Sequence, residues 1–79
     1  MTLNNGTEVV IQTNGYDEGT PTDPYVFTGQ EGVIVDIKSN DPTVYYVAFD
    51  DPRINGWYQE PVGTPWPFYA HELKAKDDA

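Results

Sequence analysis

With 79 residues, thirteen acids and four bases, the chain is a single small domain of net charge -9. It has no cysteine, which excludes a disulfide scaffold, a thiolate metal site and a cysteine nucleophile. Proteins that bind nucleic acids or anionic membranes cluster Lys and Arg. The first 37 residues here hold six acids (Glu8, Asp17, Glu18, Asp23, Glu31, Asp36) and neither Lys nor Arg, so no direct DNA, RNA or membrane binding is expected.

The hydrophobic share of 38% allows one modest core, and a domain this small without disulfides is stable by about 3–5 kcal/mol. No run approaches the ~20 apolar residues of a membrane span. The start, "MTLNNGTE", lacks a basic stretch followed by an apolar one. The expectation is a complete, cytoplasmic gene product. Residues 1–7 form a lead-in, 8–76 the domain and 77–79 an acidic tail.

Helical periodicity is nearly absent. Seven glycines, seven prolines and the pairs Asn5-Gly6, Asn14-Gly15 and Asn55-Gly56 punctuate short β-rich runs. "EVVIQ" (Glu8 to Gln12) predicts the first strand, with Val9 and Ile11 inward. A long turn-rich loop follows. "GVIVDIK" (Gly32 to Lys38) predicts the second strand, with Val33, Val35 and Ile37 on the core face and Asp36 and Lys38 in water. After the turn "SNDPT", "VYYVAFD" (Val44 to Asp50) predicts the third, with Tyr45, Val47 and Phe49 inward. The prolines of 51–65 interrupt any ladder and mark an insertion. "WPFY" then predicts a fourth strand, "AHEL" one 3-10 turn and "LKAK" a closing strand. Trp66, Phe68 and Leu73 are expected in the core, and Glu72 in water. The expected fold is all-β, a small half-open barrel of about five strands. It has a long first loop and one 3-10 turn before the last strand.

"GQEGVIVDI" (Gly29 to Ile37) resembles the Gly-x-x-Gly-x-Val-x-x-Ile strand of SH3-like barrels of the KOW type. "YYVAFDD", followed after an insertion by "FYAHEL", resembles the end of SH3-like families such as photosystem I subunit IV. There a Val-x-Phe strand precedes a Phe-x-x-x-Glu-Leu segment. The resemblance spans roughly residues 8–76 and implies the fold. The RNA and ferredoxin docking of such families needs basic surfaces, and this chain has the opposite sign. Peptide-binding SH3 domains are similar in an acidic, Tyr-containing first loop (Tyr16, Asp17, Glu18, Asp23, Tyr25) and a Pro-x-Tyr element (Pro67, Tyr69).

Two features are candidates for function. Trp57 and Tyr58 follow an Asn-Gly turn within the insertion, where burial is hard to arrange. They predict an exposed aromatic platform of the kind that anchors extended peptides. The acidic loop, Tyr16 to Tyr25, would face a basic partner. Its carboxylate spacing matches no calcium loop, so no metal is expected.

Catalysis has little to work with. Asp50 and Asp51 are consecutive and point apart, and Asp51-Pro52 suits a turn. His71 is the only histidine and "HEL" is not a metal motif, so it is read as a surface or turn-capping residue. The single serine, Ser39, lies in a turn. No cofactor is expected.

The sequence therefore predicts a non-catalytic protein-interaction module, an accessory or inhibitory factor such as a phage encodes. It would bind a basic or proline-containing partner segment through Tyr16, Asp17, Glu18, Asp23, Tyr25, Trp57 and Tyr58. One alternative is an acidic decoy for the nucleic-acid site of a basic protein; another is a structural subunit of a larger assembly.

Overall fold

The computed structural model describes residues 3–15, 26–49, 61 and 63–76. Five strands form one antiparallel sheet: β1 (Glu8–Ile11), β2 (Glu31–Lys38), β3 (Val44–Ala48), β4 (Trp66–Tyr69) and β5 (Leu73–Ala75). Their order across the sheet is β4-β3-β2-β1-β5. A 3-10 turn, Ala70–Glu72, joins the two outermost strands. The all-β class, the strand count and the turn before the last strand are those the sequence predicts. The sheet is half-open: among the described residues no ladder joins β4 to β5, so it does not close into a barrel.

The strands form where apolar residues alternate, and the register stacks those residues on one face. Val9 and Ile11 of β1 are buried and stand opposite Ala75 and Leu73 of β5. Ile34 of β2 faces Val47 of β3, which faces Trp66 of β4. Ile37, Tyr45 and Phe68 form the next row. The buried cluster is Val9, Ile11, Ile34, Val47, Phe49, Phe68 and Leu73. Each fully buried side chain of this size contributes about 1.5–3 kcal/mol by leaving water. Val47, Phe49, Phe68 and Leu73 are buried as expected, and Tyr45 and Trp66 pack against the cluster from its margin.

The β2 face differs from the expectation. Strict alternation placed Val33, Val35 and Ile37 inward, but Ile34 is 1% exposed and Val35 is 45% exposed. The register shifts between Ile34 and Asp36, a β-bulge that sets one extra residue against β3. The Asp36 carboxylate accepts the Ile37 N–H there at 2.9 Å. One extra residue reverses the parity of a strand. The inward set is therefore Ile34 before the bulge and Ile37, partly buried, after it. Asp36 and Lys38 face water as predicted.

The ends of the chain's first segments are tied to this sheet. Leu3 packs against the core, and Gly6 and Thr7 hydrogen-bond to Ile34 at 2.7 and 3.0 Å. At the far end of the first loop, the turn Phe27 to Gln30 closes through a 2.9 Å bond, with Gly29 at φ +89°. That left-handed conformation favours glycine. The turn delivers Phe27 onto the core, where its ring lies 5.4–5.7 Å from those of Phe49, Trp66 and Phe68. Phe27 and the buried Val26 sit in a stretch the sequence reads as loop.

Candidate functional site

The seven sequence-predicted partner-binding residues, Tyr16, Asp17, Glu18, Asp23, Tyr25, Trp57 and Tyr58, lie outside the described residues. So do Asp50 and Asp51. Asn14 and Gly15, immediately before Tyr16 in the chain, are described.

The described surface has its own aromatic feature where β4 ends. Phe68 points into the core, so Tyr69, its neighbour on the strand, points to the other face beside Val44. Tyr69 is 44% exposed. The chain then enters the 3-10 turn, and the His71 ring stacks on the Tyr69 ring at 5.9 Å with an interplanar angle of 17°. His71 is exposed, in keeping with the surface position the sequence suggests. The Glu72 carboxylate returns to accept the Tyr69 N–H at 2.9 Å. That bond fixes the turn and leaves Glu72 partly buried, not wholly in water as expected.

Two open clefts flank the stacked pair. One, of about 620 Å³, runs past Val44, Pro67 and Glu72 to Asn14 and Gly15 at the base of the first loop. The other, of about 590 Å³, lies over Pro42, Thr43, Tyr45 and Ala70. Tyr69 and His71 line both. Their lining combines aromatic rings and prolines with Asn14 and Glu72.

The described residues hold three ion pairs. On the β1–β2 side, Lys76 lies 3.2 Å from Glu31 and 4.0 Å from Glu8. Lys38 lies 3.3 Å from Asp36. These pairs are about half exposed and contribute little to stability. Among the described residues, Glu72 lines the first cleft, and Asp41 precedes Pro42 of the second in the chain. Among the described residues, no three His, Cys, Asp or Glu side chains gather to hold a metal. No described helix is long and apolar enough to cross a membrane.

The sequence identifies Tyr69 only as part of a Pro-x-Tyr element and leaves His71 as a bland surface residue. The signal for a pair was the i, i+2 spacing across a strand end. It becomes visible only once the turn is known to rotate His71 back over Tyr69.

Fold and clefts together define a small all-β domain with an aromatic surface at its 3-10 turn. No protein-family model, no curated protein and no solved structure matches the chain.

Proposed function

We propose that this protein is a non-catalytic interaction module that takes a basic or proline-containing partner segment at the Tyr69–His71 face. The acidic first loop, continuing from Gly15 through Tyr16, Asp17, Glu18, Asp23 and Tyr25, adds charge attraction. Trp57 and Tyr58 add aromatic contact. The observation that carries the reading is the stacked, exposed Tyr69–His71 pair lining two clefts. An exposed tyrosine on a rigid strand end is a low-entropy anchor for a partner. The net charge of -9 raises the local concentration of a basic segment. A cytoplasmic site of action fits a chain without cysteine.

The test is an NMR titration with a synthetic peptide carrying two prolines and a flanking arginine. Binding at this face should move the amide signals of Val44, Tyr69, His71 and Glu72. Tyr69→Ala should abolish those changes while the spectrum stays folded. Binding should survive about 0.5 M salt, which screens exposed charge pairs.

A second reading is favoured by the charge alone: an acidic decoy for the nucleic-acid site of a basic protein. Lys38 and Lys76 are engaged with carboxylates, which leaves the acidic excess to dominate the surface field. A decoy would bind a basic protein with a steep loss of affinity in salt, and Tyr69→Ala would not change it.

A further inference from the structure

Among the described residues the half-open sheet ends at β4 on one side and β5 on the other, and an unpaired strand edge can template a strand from another copy. In this protein the β4 edge offers no backbone donor from residue 64 to residue 69. The Thr64 N–H is given to the Pro61 carbonyl at 3.1 Å. Pro65 and Pro67 have no N–H. The Tyr69 N–H is given to Glu72 Oε1 at 2.9 Å. Successive residues of an antiparallel strand turn their N–H groups alternately toward and away from the neighbour. With Pro67 and Tyr69 turned away from β3, Trp66 and Phe68 turn toward it, opposite Val47 and Tyr45. The outer rim of β4 is left with acceptors only.

The β5 edge is guarded at the same turn. The Gln12 N–H donates to the Glu72 carbonyl at 2.7 Å, so the backbone groups of Glu72 and Lys74 face β1 and those of Leu73 face the outer edge. Both outward groups of Leu73 are engaged. Its N–H donates to the Ala70 carbonyl, and its carbonyl accepts the Gln12 Nε2–H at 2.9 Å.

We propose that Pro65, Pro67 and Glu72 on one edge, and Gln12 on the other, are edge guards that stop a second copy of this chain from adding a strand to the half-open sheet. An incoming strand on β4 would find no donors at positions 65, 67 and 69, and its own carbonyls there would lose water without gaining a partner. Recognition by this protein then runs through side-chain clefts and not through sheet extension. The proposal does not depend on what the Tyr69–His71 face binds.

The test is sedimentation velocity on the triple variant Pro65→Thr, Pro67→Thr, Glu72→Ala beside wild type. Concentrations run from roughly 10 μM to 1 mM, where exposed strand edges associate. About 0.5 M salt removes the protection given by net charge. Pro61→Thr, which adds a donor away from the β4 rim, is the control. Association of the triple variant that rises with concentration, absent from wild type and Pro61→Thr, is the expected result. A folded triple variant that sediments like wild type throughout overturns the proposal. Should the triple variant unfold, amide hydrogen exchange at Tyr69 decides. Glu72→Ala should accelerate it roughly tenfold or more, and equal rates in wild type and Glu72→Ala reject the guard.

Discussion

The α-carbon of Gly32 lies so close to Val47 that a methyl group there would stand 2.6 Å from Val47 Cγ1. It would also stand 2.7 Å from the Ala48 carbonyl oxygen and 3.1 Å from Phe49 Cδ1. Val47 and Phe49 are fully buried, so neither can move aside without disturbing the core. Gly32 thus lets β3 cross close over β2, and it pairs with Val9 on its other side. Gly32→Ala should destabilise the protein by about 1–3 kcal/mol through overpacking. At Gly15 the same change meets open space and should alter stability by under about 0.5 kcal/mol. Urea midpoints of the two variants check this, and equal midpoints would sink it.

The bulge in β2 makes adjacent aliphatic residues unequal. Ile34→Ala removes a buried side chain from the cluster and should cost about 2–5 kcal/mol. Val35→Ala acts on an exposed position and should stay within about 0.5 kcal/mol. Regular alternation would require the reverse ranking, so a thermal melt of each variant distinguishes the two arrangements.

Phe27 is the clasp by which the end of the first loop joins the core. Its ring meets Phe68 edge-on at an angle of 81° and lies tilted against Phe49 and Trp66. Phe49→Ala should cost about 3–5 kcal/mol, as for any fully buried phenylalanine. Phe27→Ala should cost about 1–3 kcal/mol, because that ring is only partly buried. Both should weaken the near-ultraviolet circular dichroism of the aromatic cluster. A Phe27→Ala protein with wild-type stability would show that the clasp carries no energy.

Salt should stabilise this fold. Thirteen acids against four bases repel one another within a small volume. The ion pairs of Lys38 and Lys76 are exposed and contribute little that salt can remove. Raising the salt from about 0.02 to 0.5 M shortens the screening length to a few ångströms, so the urea midpoint should rise. A falling midpoint would mean that the ion pairs outweigh the net repulsion.

Much of the architecture was legible because strands with one buried face write a period of two into the sequence. Val9 and Ile11, then Tyr45, Val47 and Phe49, then Trp66 and Phe68, all point where that period puts them. The reading failed at β2, where an aliphatic run, Val33 to Val35, gives no polar contrast and hides the bulge. It passed over Val26 and Phe27 because turn residues surround them. The site was less legible still. The stacked pair is produced by the direction of one 3-10 turn, which no spacing rule specifies.

Composition and periodicity by themselves determined an acidic, all-β domain with the 3-10 turn before the last strand, because burial and charge act residue by residue along the chain. Only the tertiary structure decided which face of β2 is inward, since a bulge is settled by the fit of Ile34 against Val47. It alone set Tyr69 against His71, and it alone turned Pro67 and the Glu72-bound N–H of Tyr69 to the outer rim of β4. Ile34 with Val47, and Gln12 with Leu73, join segments distant in sequence. Contacts of that kind form only when the chain closes on itself.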